Sequence, residues 1–127
     1  MMGADNLQAL VVDDYPQMRA HLVEILTGIG VSCASAECGT DALQMLHERP
    51  FDILFTDLVM PEMDGFELCE EVRRRSALAS MPVVVTSTHR DAGYVIQALQ
   101  RGADDYISKP ASPVFVRRVL RRVMTHV

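Results

Sequence analysis

A chain of 127 residues and 14.1 kDa has the size of one domain and can bury one sizeable core but not two. With 49% hydrophobic and 23% charged residues, 7 glycines and 6 prolines, it falls among globular proteins and outside the disordered, collagen-like and coiled-coil classes. The net charge of -5 weighs against nucleic acid as a partner of the whole chain, but it is unevenly split: residues 1–64 hold 11 acidic and 2 basic side chains, residues 65–127 hold 6 and 10.

In chain order, apolar runs of strand length fall at Leu7–Val12, Val31–Ala36, Ile53–Thr56, Val83–Thr86 and the short Tyr106-Ile107, with segments of helical length and period between and after them. The first helix carries the stripe Met18, Leu22, Ile25, Leu26 and Ile29, with Pro16 suited to its first turn and Gly28 or Gly30 to its end. Met60-Pro61 to Gly65 reads as a turn leading into the third helix. The last helix carries Val116, Val119, Leu120, Val123 and Val127 on one side and Arg117, Arg118, Arg121 and Arg122 on the other. Five strands alternating with five helices imply an α/β fold, a doubly wound parallel sheet covered on both faces, because parallel strands need crossovers and these are right-handed.

Other classes drop out along the way. No apolar stretch approaches the length of a bilayer span and residues 1–5 have no signal-peptide character, so a cytoplasmic location is expected. Cys33, Cys38 and Cys69 are odd in number and lack a C-x-x-C pair, which suggests neither a disulfide framework nor a zinc site. His21, His47, His89 and His126 share no metal-ligand spacing.

In such a sheet, ligands bind outside the carboxyl ends of the strands. There the sequence places Asp13-Asp14 after the first strand, Asp57 after the third, Ser87-Thr88 after the fourth and Lys109-Pro110 after the fifth. Three carboxylates at one edge repel one another unless a cation neutralises them. Hard oxygen donors in small number suit Mg²⁺, with Mn²⁺ as an alternative. A lysine and a hydroxyl opposite the acids supply a point charge and a donor for a tetrahedral anion, so the set describes a phosphoryl group on a carboxylate.

At these residues the chain resembles the receiver domain of two-component response regulators, chemotaxis-type and single-domain. The resemblance runs from about Leu7 to about Met124. It rests on Asp13-Asp14, on Asp57-Leu58-Val59-Met60-Pro61-Glu62-Met63-Asp64-Gly65, on Ser87, and on Gly102-Ala103-Asp104-Asp105-Tyr106-Ile107-Ser108-Lys109-Pro110. It implies a flavodoxin-like sheet of order 2-1-3-4-5, an order the handedness rules alone do not supply. It also implies that residues 1–127 are one receiver with no output domain in this chain.

What the resemblance implies for the residues is specific. Asp57 is the phosphoacceptor, taking phosphorus from a phosphohistidine of a sensor histidine kinase or histidine phosphotransfer protein in a Mg²⁺-dependent step. Asp13, Asp14, Asp57 and the Val59 backbone carbonyl form the metal share; Lys109 pairs with the phosphate, through a Lys-Pro bond that is usually cis. Ser87 hydrogen-bonds it, and Tyr106 then changes rotamer and alters the surface of helix four, strand five and helix five for a downstream protein target or a second copy of the chain. The product is a switch with at most weak self-phosphorylation and autodephosphorylation, not a turnover enzyme. No direct nucleic-acid or membrane contact is implied.

Two departures from the common pattern bear on rate. Thr88 stands where a small residue is usual and narrows the entrance, while Val59 and His89 occupy the positions that tune attack of water; a long-lived aspartyl phosphate is expected. An isolated Asp13 or Asp57 reads better as a helix N-cap, a reading the joint spacing of the motifs overturns, and a half-buried strand aromatic is a rival reading of Tyr106. The main alternative is a phosphatase or phosphotransferase of the haloacid-dehalogenase type, which needs a second Asp at position 59 and has Val59 instead. A nucleotide or flavin binder is disfavoured because Cys33 stands where Gly28-Ile29-Gly30 would need a third glycine.

Overall fold

In the computed structural model, which describes residues 6–88 and 92–124, the elements alternate strictly. They are β1 (Gln8–Val12), α1 (Pro16–Ile29), β2 (Ser32–Ala36), α2 (Gly39–Glu48), β3 (Ile53–Asp57), α3 (Gly65–Arg74), β4 (Val83–Ser87), α4 (Ala92–Gln100), β5 (Asp105–Ser108) and α5 (Pro113–Val123). All strand pairs are parallel and the order is β2-β1-β3-β4-β5, as expected. The topological reversal falls between β1 and β3. His89, His126 and Val127 lie outside the described residues.

The two-residue period of the strands sorts the core into two layers. Leu10, Val12, Leu54, Val83 and Val85 point to the face covered by α2, α3 and α4, where Ala42, Leu46, Leu68, Cys69, Val72 and Ala98 meet them. Ala9, Val11, Ile53, Phe55, Val84 and Ile107 point to the other face, against Leu22 and Leu26 of α1 and Val116, Val119 and Leu120 of α5. The three inner strands β1, β3 and β4 are buried along almost their whole length, which explains their continuous apolar runs. At the edge, β2 is built of small residues and stays half-open.

Local signals set the helix ends. Pro16 opens α1, where its missing N–H costs nothing, and Gly30, not Gly28, closes it with φ 106°, a left-handed conformation that glycine adopts freely. In α3, Asp64 accepts from the Glu67 amide at 2.8 Å while Glu67 accepts from the Asp64 amide at 3.0 Å, a complete capping box. Strand ends differ modestly from the sequence reading. Asp57 and Ser87 are the last residues of their strands, and β5 extends to Asp105 and Ser108 because these pair with Val84 and Ser87.

Candidate functional site

The same alternation that sorts the core aims the site. Asp13 follows Val11 by two residues, Asp57 follows Phe55, Thr86 follows Val84 and Lys109 follows Ile107, so all four side chains leave the sheet on the α1/α5 side. Register sets their level: Val12 pairs with Thr56, and the next residue on each strand is an aspartate. The result is a pocket with Asp13, Asp57 and Lys109 at most 9% exposed and Asp14 open to solvent at its rim.

Lys109 is the hub. Its Nζ donates to Asp13 Oδ2 at 2.7 Å and lies 3.3 Å from Asp57 Oδ1. Asp57 Oδ1 also accepts from the Leu58 amide at 2.8 Å, and Asp13 Oδ1 accepts from the Tyr15 amide at 2.9 Å. Burial pushes the Asp57 carboxyl above its usual range; Lys109 opposes this, and the neighbouring Asp13 charge adds to it. One ammonium thus faces three acids. Carboxylate oxygens of Asp13, Asp14 and Asp57 lie within 4.8 Å of one another, a hard-donor set of the size and charge that a small divalent cation fits.

Backbone geometry holds the pocket. Gly65 approaches the Asp57–Leu58 backbone so closely that a Cβ there would stand 2.2 Å from the Asp57 carbonyl oxygen, and its amide donates to the Leu58 carbonyl at 2.8 Å. The turn after Asp57 therefore demands glycine. The Lys109 amide donates to the Ser87 carbonyl at 2.8 Å, which ties the lysine to the strand bearing the hydroxyl, and the Lys109-Pro110 peptide is cis.

Of the residues expected from the sequence, Asp13, Asp14, Asp57 and Lys109 converge. Ser87 is buried at the end of β4, Thr88 after it is exposed, and Val59 is 56% exposed. Tyr106 lies half-buried on the opposite face of β5, packed against the α2–α4 layer. Neither Asp13 nor Asp57 caps a helix: the N-cap of α1 is Tyr15 and that of α3 is Asp64. The sequence reading missed Arg19, whose Nη1 donates to the Asp13 carbonyl at 2.7 Å. It also missed Arg73, described below. Both bond to backbone carbonyls, for which no residue pattern exists.

An acidic pair, a buried aspartate, a hydroxyl and a lysine stand at the carboxyl edge of a 2-1-3-4-5 sheet, a set suited to a phosphoryl group on a carboxylate. Residues 9–121 match the family model of the response regulator receiver domain, and the chain belongs to that family. Among its relatives, the chemotaxis protein CheY of Pseudomonas aeruginosa is 33% identical over 122 residues, covering 95% of this chain and 98% of that protein. The transcriptional regulatory protein GltR of the same organism is 34% identical over 122 residues, 96% of this chain but 49% of that protein. The chain spans between about a fifth and a half of the length of the transcriptional regulators it matches.

Among solved structures, the signal receiver domain of a signal transduction histidine kinase from Syntrophus aciditrophicus superposes with a TM-score of 0.85 at 31% identity, covering 95% of this chain and 92% of that one. The flavodoxin-like receiver fold and the membership of a two-component system follow, and nothing supports the haloacid-dehalogenase alternative. Receiver domains are signalling switches rather than turnover enzymes. They bind Mg²⁺ at an acidic pocket, which in this chain is the Asp13, Asp14, Asp57 cluster, and they interact with histidine kinases and downstream effectors. Among the described residues, no helix is long and apolar enough to cross a membrane.

Proposed function

We propose that Asp57 accepts a phosphoryl group from a phosphohistidine of a sensor kinase or histidine phosphotransfer protein. The observation that carries this reading is the burial of the Asp57 carboxylate beside the Lys109 ammonium, which also holds Asp13. Asp57 Oδ1 is occupied by the Leu58 amide and Lys109, which leaves Oδ2 to attack phosphorus. An O–P bond forms, the P–N bond of the donor breaks, and the neutral imidazole of the donor leaves after taking up a proton.

Asp13, Asp14, Asp57 and the Val59 carbonyl would hold Mg²⁺ or Mn²⁺, which when bound supplies charge stabilisation for the transferring oxygens. Lys109 then pairs with the new phosphoryl group in place of the carboxylate, and the Ser87 hydroxyl donates to a phosphoryl oxygen. Residues 7–124 act as the switch unit. The readout is the α4/β5/α5 surface, through Tyr106, for a downstream protein target or a second copy of the chain. Exposed Ile96 and Leu99 on α4 support it, as does a groove of about 450 Å³ between Tyr106, Pro110, Phe115 and Arg118. Arg118 lines this groove, and Arg117, Arg121 and Arg122 are exposed on the same helix of a chain whose other half is acidic, which favours a protein partner over nucleic acid.

Self-phosphorylation and hydrolysis are weak, and the location is cytoplasmic. Thr88 at the entrance and apolar Val59, which cannot orient a water by hydrogen bonding, lengthen the phosphoryl lifetime. Decay in the wild type faster than in both Thr88→Ala and Val59→Asn would refute that extension. For the central reading, incubation with acetyl phosphate and Mg²⁺ followed by intact mass is expected to show one phosphoryl group per chain, absent in Asp57→Asn. Continuous turnover of the donor would instead indicate a phosphatase.

A further inference from the structure

We infer that His21 is a positioning residue for Lys109, acting through the backbone of the loop that follows β5; this rests on the reading of Lys109 as the phosphoryl-pairing cation. His21 sits on α1 among Met18, Leu22 and Ile25, at a helical spacing that otherwise carries only apolar side chains into the core. A polar ring at such a position needs a partner. Its Nε2 lies 2.9 Å from the carbonyl oxygen of Ala111, 90 residues away in the chain. A carbonyl can only accept, so Nε2 carries the proton and donates.

That bond completes a two-point hold on the segment carrying the lysine. Upstream, the Lys109 amide donates to the Ser87 carbonyl at 2.8 Å; downstream, Ala111 is held by His21. Pro110 between them has no N–H to add. Ala111 packs into the α1/α5 layer, but Asp13, His21, Lys109 and Ala111 also share the wall of a void of about 10 Å³, room for a single water at most. Without the His21 bond the loop can relax toward that void, and Nζ must then leave its 2.7 Å contact with Asp13 or its 3.3 Å approach to Asp57.

Helix α1 holds the facing loop as well, through Arg19 and the Asp13 carbonyl at 2.7 Å. One helix thus reaches the backbone at both sides of the buried ion pair: Arg19 bonds the carbonyl of Asp13 itself, and His21 bonds the carbonyl two residues beyond Lys109.

Lys109 is the one lysine in the chain, so lysine labelled with ¹⁵N at Nζ gives a single ammonium resonance that reports its surroundings without ambiguity. The test compares the wild type with His21→Leu, which keeps the volume and removes the donor, and with His21→Gln, which restores an N–H. Expected for His21→Leu are a resonance moved toward that of free lysine and a phosphorylation rate with acetyl phosphate lowered roughly three- to tenfold, the reach of one positioning hydrogen bond; His21→Gln recovers most of both. Thermal midpoints are measured alongside, with assays run well below them. A lowered midpoint in His21→Leu with resonance and rate at wild-type values assigns His21 a purely structural role and overturns the inference, as does a His21→Gln variant as impaired as His21→Leu. If the wild type takes up no phosphoryl group, the reading of Lys109 fails on its own account. The resonance still decides whether His21 positions the lysine.

Discussion

The two edges of the sheet each bring a cation to carboxylates, and they do it with opposite consequences. At the amino edge, Arg73 from the end of α3 donates Nε to the Gly102 carbonyl at 2.9 Å, Nη1 to the carbonyls of Ala79 and Met81 at 3.1 and 2.7 Å, and Nη2 to Asp104 at 2.8 Å. Asp104 Oδ2 also accepts from the Val83 amide at 2.8 Å. Cation and acid are matched one to one, both reach solvent, and the guanidinium stitches α3, β4 and the turn before β5 together. At the carboxyl edge one desolvated ammonium faces Asp13, Asp14 and Asp57. The amino edge is built for stability. The carboxyl edge keeps an excess of buried negative charge whose relief requires a ligand, as functional sites do.

The largest effect that would break this contrast is on phosphoryl uptake: Asp57→Asn loses it entirely by intact mass while keeping the fold. In metal-free buffer the same variant unfolds at a higher denaturant midpoint than the wild type, because a crowded charge has been removed. Arg73→Ala goes the other way. It loses about 2–3 kcal/mol of stability by urea unfolding, since several carbonyls and Asp104 lose a shared donor, while its phosphorylation rate at low temperature stays near the wild-type value.

A pH series sharpens the comparison further. The folded chain holds the Asp57 proton more tightly than the unfolded chain, whose carboxyl sits near the ordinary 3.8. Stability in chelator therefore rises as pH falls from neutrality through the raised folded pKa, levels off near the unfolded value, and is lost again as pH climbs. Asp57→Asn lacks this contribution, which urea midpoints of the two proteins across mildly acidic buffers will show. Smallest is the α3 cap, outside both edges' charge networks: Asp64→Ala costs about 1 kcal/mol and leaves phosphoryl uptake intact.

Much of this was legible in the sequence because period and register carry it. Asp13, Asp57 and Lys109 each stand at or just beyond the end of an apolar strand, with the parity of its α1/α5 face, so the acid and lysine set could be read from spacing alone. The strand order came from resemblance, not from handedness rules. Arg73 was not legible. It belongs to the run Arg73-Arg74-Arg75 on a helix, of which Arg74 and Arg75 pair with Glu71 at the surface, and only its spacing of four from buried Cys69 distinguishes it. His21 and Arg19 were hidden for a related reason, since their partners are backbone carbonyls, which any residue type presents, and that of His21 is 90 residues away.

The account stands most directly on which residue receives the phosphoryl group. Borohydride reduces an aspartyl phosphate to homoserine, so reduction of the chain after acetyl phosphate and Mg²⁺ treatment, followed by peptide mapping, reads out the position. Homoserine at position 57 alone is the predicted result; homoserine at another aspartate, with Asp57 recovered unchanged, would contradict the account.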